Sequence, residues 1–284
     1  MKNHWATPVS FEVYPPRSHE RLPELHASLL ELDRVSPDFI SVTFGAGGSS
    51  TKDSLAILAF IRDNTVATPL AHLTCVGSTT KQAKALVESF LAERISNFLA
   101  LRGDLPEGTY EHHGELAHAT DLLELIRGIQ DAPAHPERVA VAAFPNGHPE
   151  SASLDEDVTT LLRKQDAGAT LAITQLFFYP TDYARFVEKS HEAGVTIPIL
   201  PGIMPITSLG RLERVLELTG EARPHELALG LSSSKDRSEQ EKIGIDWSAS
   251  MVGELVEMGA PGIHLYAFNQ HATVLSVLNQ AGVR

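Results

Sequence analysis

Short apolar runs and amphipathic stretches alternate along nearly the whole chain. Val9 to Tyr14 (V-S-F-E-V-Y) alternates apolar and polar positions until Pro15-Pro16 stops it, the period-two mark of a strand with one buried face. The same reasoning predicts strands at Asp38 to Phe44, Pro69 to Cys75, Asn97 to Arg102, Val139 to Phe144, Thr170 to Phe178, Ile197 to Leu200 and Gly262 to Phe268. Between them, apolar residues recur at three- and four-residue spacing. That spacing predicts helices over Ser18 to Arg34, Ser50 to Asp63, Thr79 to Glu93, about Glu115 to Gln130 and Leu154 to Ala167. Further helices follow over Thr181 to Ala193, Ser208 to Thr219, Ser238 to Met258 and His271 to Gln280. Gly168 and Gly194 are natural helix stops. The stretch between Thr219 and Ser238 reads as a polar connection.

Strict strand–helix alternation means parallel pairing with right-handed crossovers. Eight such units in 284 residues have the size of a (β/α)8 TIM barrel of class α/β, and no linker or change in composition divides residues 1–284, so a single domain is expected. A doubly wound open sheet fits less well, because the first turn is Y-P-P-R and no G-x-G-x-x-G follows any strand.

In a barrel the C-terminal strand ends form the active face. Here they carry Glu12, Thr43, His72 with Thr74, Arg102 with Asp104, Phe144, Gln175, Pro201-Gly202, and Tyr266 with Asn269 and Gln270. Any one could belong to a satisfied polar network, but a ring of them at one level points to a ligand site. The most informative run is Asn97 to Pro106, N-F-L-A-L-R-G-D-L-P, a buried strand that ends in an arginine, a glycine and an acid. Glu12 is the leading catalytic candidate: an inward carboxyl loses hydration, so its pKa is expected to rise and keep it protonated near neutrality as a general acid. On the fifth helix Asp157, Thr160 and Lys164 share one face beside Arg163, and His148 precedes them in the loop. An acid for ribose hydroxyls and two cations for phosphates would suit a dinucleotide; an ordinary solvated charged face is the alternative.

Composition narrows this further. The formal charge of −13 argues against a nucleic-acid surface, no apolar stretch is long enough to cross a membrane, and the N-terminus lacks a signal-peptide core. Cys75, the single cysteine, excludes an intrachain disulfide and fits a cytoplasmic location. The 13 histidines lack metal-ligand spacing, so no metal is expected.

These motifs together resemble the methylenetetrahydrofolate reductases of the bacterial catalytic-domain type, over nearly the whole chain. They are S-F-E-x-x-P-P at Glu12, S-V-T-F-G-A at Thr43, A-H-L-T-C at His72 and A-L-R-G-D-L-P at Arg102 to Asp104. A-A-F-P-N-G-H-P-E, D-A-G-A-x-x-A-I-T-Q, P-G-I-M-P and H-L-Y-A-F-N follow in order. The resemblance implies noncovalent FAD, NADH or NADPH as cosubstrate, and a ping-pong hydride relay that turns 5,10-methylenetetrahydrofolate into 5-methyltetrahydrofolate in one-carbon metabolism. It implies Glu12 as the acid at N10, Asp104 near both flavin and pterin, and Gln175 and Tyr266 in the folate pocket. Thr43, His72, Arg102, Gly103, His148, Asp157, Thr160, Arg163 and Lys164 would contact FAD. Related bacterial enzymes are commonly homo-oligomers.

Two positions depart from the family pattern. Phe144 stands where many relatives have tyrosine, which keeps an aromatic contact and loses a hydroxyl. Gln270 stands where many have an arginine able to grip the folate glutamate tail, so either another cation, such as Arg211, would serve or the tail would be held more weakly. A flavin-free relative with direct hydride transfer and a noncatalytic folate-binding barrel are the competing readings. The R-G-D motif with Asp157, Arg163 and Lys164 argues against the first, and Glu12 against the second.

Overall fold

The computed structural model describes residues 7–16, 18–43, 51–103, 114–129 and 135–284. Nine parallel strand segments form one sheet in the order β7-β6-β5-β4-β3-β2-β1-β9-β8. They are β1 Val9–Val13, β2 Phe39–Val42, β3 Thr68–Thr74, β4 Asn97–Leu101, β5 Arg138–Ala143, β6 Leu171–Thr174, β7 Ile199–Leu200, β8 Gly202–Ile203 and β9 Ile263–Tyr266. β7 and β8 are one barrel strand broken at Pro201, which has no N–H for the ladder. The first half pairs with β6 (Ala172↔Ile199) and the second with β9 (Gly202↔His264), so the eight-stranded α/β TIM barrel closes through this break.

Helices cover the outside: α1 Leu22–Asp33, α2 Thr51–Asn64, α3 Thr80–Ala92, α4 Ala119–Arg127, α5 Leu154–Asp166, α6 Pro180–Glu192, α7 Leu209–Thr219, α8 His225–Ser233, α9 Arg237–Glu257 and α10 His271–Gln280. Sequence reasoning missed α8 and read its residues as a polar connection. Leu227, Ala228 and Leu231 are buried, one helical face against α7 and α9, while Gly230 and a run of serines obscure the period. Among the described residues no helix is long and apolar enough to cross a membrane.

The alternation of side chains along each strand sorts the molecule into two cores. Val9, Phe11, Val13, Ile40, Val42, Ala71, Leu73, Phe98, Ala100, Ile263 and Leu265 face outward and pack with the helices. The opposite parity faces the barrel axis, where Phe39, Leu70, Leu99, Ala140, Leu171, Ile173 and Leu200 fill the interior with apolar bulk. One pleat further along β1, β3 and β9, the inward positions become Glu12, His72 and Tyr266, with Glu12 paired in register to Ser41 and Tyr266. The polar level thus sits on an apolar plug.

The seam between β9 and β1 is extended beyond the strands. The Asn269 side chain accepts from the Tyr14 N–H at 3.1 Å and donates to its carbonyl at 2.8 Å, which mimics a strand partner. This needs two successive left-handed residues, Phe268 at φ 47° and Asn269 at φ 58°. A left-handed bulky residue such as Phe268 is strained and persists only where its surroundings hold it.

Candidate active site

Two groups of side chains gather at the C-terminal ends of the strands. The first belongs to β1, β2, β3 and β9. Glu12 Oε2 lies 3.4 Å from His72 Nε2 and 3.9 Å from His264 Nε2. Both rings are buried, whereas about a fifth of the Glu12 side chain (21%) stays accessible from the mouth. Ser10 Oγ sits 2.9 Å from His264 Nδ1 and donates to the Ile263 carbonyl at 3.4 Å. Ser10 thereby fixes the orientation of the His264 ring, with Nε2 turned toward Glu12. Tyr266 packs edge-on to His264, and its hydroxyl donates to the Thr174 carbonyl at 2.8 Å. Its phenol is pushed well above the usual value, by burial first and then by the Glu12 charge.

The expectation of a raised Glu12 pKa needs correction. Burial does push the carboxyl up, but the charge of His72 and the hydrogen bond and charge of His264 together outweigh it, leaving it below the ordinary carboxylate value. Desolvation alone was foreseen; His264 was not. Burial in turn holds His72 below the ordinary imidazole value, with the Glu12 charge opposing and His264 adding to the drop. The first group therefore holds its proton weakly.

The second group joins β4, β5 and α5. Arg102 forms a fork with Glu150, its two terminal nitrogens 2.5 and 2.9 Å from the carboxylate oxygens. The Glu150 N–H donates to His148 Nδ1 at 3.1 Å, and the His148 ring stands edge-on to Phe144 at 4.7 Å. Lys164 Nζ lies 5.9 Å from the centre of the Phe144 ring and donates to the Ala142 carbonyl at 2.8 Å. Burial draws the Lys164 ammonium down to about 8, with Asp157 opposing and the charge of Arg102 adding to the drop.

Asp157 is buried, and its carboxylate accepts from the His148 N–H at 3.3 and 3.2 Å and from Ser151 Oγ at 2.8 Å. It therefore clamps the loop that delivers Phe144 and His148. A freely solvated face is excluded for Asp157 and Lys164. Thr160 is half-buried on the same side, and Arg163 is exposed.

Gly103 follows β4 at φ 90°, where a Cβ would come within 2.7 Å of Val76 Cγ1. Only glycine lets the chain pass so close. Thr43 ends β2 with its N–H bonded to the Val13 carbonyl, and its Oγ1 is buried without a partner. His72 Nε2 and His264 Nε2 are likewise buried, and beyond their contacts with the Glu12 carboxylate neither makes a hydrogen bond. Buried polar atoms such as these around one mouth mark a polar ligand's place. Gln175 was expected inside strand six; β6 stops at Thr174, and Gln175 lies just past its end with Oε1 accepting from the Leu176 N–H at 2.8 Å. Gln270 is exposed at the start of α10. Asp104 lies outside the described residues.

Sequence reasoning missed Ser10, His264 and Glu150. The first two were within reach, since each stands two residues before an inward strand-end residue, Glu12 and Tyr266, and so shares its face.

Comparison with known proteins agrees with this geometry. A family model described as Methylenetetrahydrofolate reductase matches residues 2–282. The chain is 32% identical over 277 residues to 5,10-methylenetetrahydrofolate reductase of Escherichia coli (strain K12), covering 97% of this chain and 91% of that one. It is 31% identical to methylenetetrahydrofolate reductase (NADH) 1 of Zea mays, where the match spans 98% of this chain and 48% of the plant protein. Among solved structures, a Clostridium thermocellum protein that binds two copies of 5-methyl-5,6,7,8-tetrahydrofolic acid superposes with a TM-score of 0.63 at 14% identity, over 97% of this chain and 93% of that one. At that identity the likeness speaks for the fold.

Proposed function

The chain belongs to the methylenetetrahydrofolate reductase family, and from that premise we propose that it reduces 5,10-methylenetetrahydrofolate to 5-methyltetrahydrofolate with a hydride drawn from NADH or NADPH through bound FAD. The observation that carries this reading is an accessible carboxyl, Glu12, backed by the buried nitrogens His72 Nε2 and His264 Nε2, with the buried Thr43 Oγ1 left without a hydrogen bond nearby.

The second group fits a flavin dinucleotide. Arg102 and Lys164 supply positive charge for a pyrophosphate, and Gly103 lets backbone approach a ligand closely. Phe144 and His148 supply aromatic surface, held in place by the Asp157 clamp. Thr43, His72, Thr160 and Arg163 complete the proposed contacts, with Asp104 assigned by resemblance alone. When bound, FAD would supply the hydride chemistry, taking a hydride from the nicotinamide and giving it to the one-carbon bridge in two separate half-reactions.

Everything else falls to the chain's own residues. Glu12 delivers a proton to N10, which opens the five-membered ring of the folate. His72 and His264 stand behind it and return a proton to the carboxylate, and Ser10 keeps the His264 ring turned toward Glu12. Gln175 has its amide oxygen occupied by the Leu176 N–H, so its NH2 is the end offered to the pterin. Tyr266, locked on the Thr174 carbonyl, walls the pocket opposite. The buried Cys75 suits a reducing, cytoplasmic setting.

The purified protein should show the visible absorption of oxidised flavin, bleach on anaerobic addition of NADH or NADPH, and recover on adding methylenetetrahydrofolate. A colourless protein that reduces the folate without taking up FAD would replace the relay with direct hydride transfer.

Lys164 gives a second expected result. Its charged form is the one that attracts phosphate, and that form is lost as pH rises through about 8. FAD affinity should stay level below pH 7 and weaken above 8, by roughly tenfold once the charge is gone. Flavin fluorescence quenching measures this, and Lys164→Met should bind weakly at every pH with the dependence gone.

A further inference from the structure

The chain leaves the C-terminal end of β8 into α7, and beside that turn α9 begins. A cavity of ≈ 410 Å³ opens between the two helix N-termini. That volume lies in the usual range for small-molecule sites, roughly 300–1,000 Å³. Its walls carry Arg211, Lys235 and Arg237 against a single carboxylate, Asp236. Asp236 is already engaged as the cap of α9, accepting from the Glu239 N–H at 2.9 Å. Ser208 caps α7 by accepting from the Arg211 N–H at 3.2 Å, which leaves its hydroxyl proton to donate into the cavity.

The charge here runs against the rest of the molecule, which is −13 overall. On other surfaces the cations stand beside acids, as in Arg34–Glu31, Arg214–Glu217, Arg223–Glu213 and Lys189–Asp155. Among the described residues, Arg211, Lys235 and Arg237 have no carboxylate within ion-pair distance. The charge of Arg237 adds to the burial that lowers the Arg211 guanidinium below its ordinary value, with Tyr14 opposing. Three cations converging on one small space suit a compact dianion. A phosphomonoester carries about two negative charges near neutrality and several acceptor oxygens.

The cavity also connects to the mouth of the barrel. The Arg211 guanidinium lies 4.9 Å from the centre of the Phe268 ring, and Phe268 meets Tyr14 edge-on at 6.4 Å. Tyr14 is two residues beyond Glu12. A nucleotide whose nicotinamide enters the mouth can lay its adenosine half past Tyr14 and Phe268, a path that leads to the three cations. NADPH differs from NADH by one phosphomonoester, on the 2′ position of the adenosine ribose. Dinucleotide sites that favour NADH commonly offer a carboxylate to the ribose hydroxyl, and those that favour NADPH an arginine to the phosphate. Here the one acid is engaged elsewhere and the cations are not.

We propose that this cavity is the cosubstrate selector: Lys235 and Arg237, with Arg211 behind them, take the adenosine 2′-phosphate and make NADPH the preferred hydride donor. This rests on the reductase reading given above and deepens it by choosing between the two nucleotides.

Two measurements compare the parent with a Lys235→Ala/Arg237→Ala protein. The first is anaerobic flavin reduction by NADPH and by NADH. The second needs no turnover: calorimetric binding of adenosine 2′,5′-bisphosphate against AMP, which lacks the 2′-phosphate. Both changed residues are exposed, so folding should be retained. The parent should favour NADPH in kcat/KM by about tenfold at low salt and less at high salt, since screening weakens exposed charge pairs. In the double variant the preference should fall to within about twofold. The bisphosphate should show the same preference over AMP and the same loss. Equal use of the two nucleotides by the parent, a preference for NADH, or a preference for NADPH that survives in the variant overturns the proposal. So does a variant whose KM for the folate rises while its nucleotide preference is unchanged, because the cavity would then serve the other substrate. Should neither nucleotide reduce the protein, the reductase reading fails on its own. The binding measurement then still decides the cavity: a bisphosphate preference lost in the variant upholds it, and equal affinities or no binding overturn it.

Discussion

Glu12→Gln is expected to cut the folate half-reaction by about a thousandfold, within the span of a positioned general acid, while reduction of the flavin by NAD(P)H changes only a few-fold. Glutamine keeps the shape and a hydrogen-bond donor beside His72 but has no proton to give up. Rapid mixing of each half-reaction separately makes the measurement, and loss of both together would sink the assigned role. The parent enzyme's pH profile carries further information. A carboxyl held below its ordinary value, backed by an imidazole also held low, has its acid form in the minority at neutrality. The folate step should therefore slow by about tenfold per pH unit all through neutrality, the fall having begun on the acid side of it. A plateau through pH 7 to 8 would mean that burial governs Glu12 and that the two histidines do not.

Gly202→Ala should be among the most damaging single methyls in the described strands. Gly202 begins β8, pairs with His264, and donates its N–H to Thr174 Oγ1 at 2.9 Å. An added Cβ would drive into the Thr174 backbone carbonyl and come within 2.9 Å of the Tyr266 ring. Backbone cannot yield as a flexible side chain can, and the same carbonyl accepts the Tyr266 hydroxyl. Overpacking of this severity costs about 3 kcal/mol, which corresponds to a fall in Tm of about 6–12 °C. What folds should also bind folate poorly, because Tyr266 is displaced. Gly253→Ala is the control: it lies within α9 with open space at the Cβ position. It should be neutral or stabilising by up to about 1 kcal/mol. Thermal unfolding of the two side by side separates collision from the mere loss of a glycine.

Much of this was legible from apolar spacing. A period of two places Glu12, His72 and Tyr266 on the faces opposite Phe11, Leu73 and Leu265, and the barrel follows from the alternation of strands with helices. What escaped had physical reasons. Strand seven was read as ending at Leu200, but pairing resumes beyond Pro201 at Gly202 with the other neighbour, and no local pattern announces which half meets which strand. α8 was hidden because its buried face spans only three residues. His264 lay in plain view as an inward position, yet its weight on Glu12 depends on β9 returning beside β1, a contact between residues 252 apart that only closure creates. Asp157 was singled out by residue type, and its further task of clamping the loop of His148 and Ser151 depends on how that loop folds back onto α5. Sequence tells which groups share a face; charge balance depends on who arrives from elsewhere.

The pairing of β1 with β9 bears on how the protein is made. Val9 meets Ile263 and Glu12 meets Tyr266, so β1 leaves the ribosome long before its second neighbour exists. Until then β1 offers one bare edge, and the growing sheet offers another at its far side. Joining distant chain ends adds only slowly growing entropy with length, so the wait, more than the closure itself, sets the hazard. Nascent chains stalled short of Ile263 should be the aggregation-prone species, and chaperones that shield open strand edges should matter most in that interval. Release of β9 ends it, as Asn269 then fastens onto Tyr14 and the seam is shut.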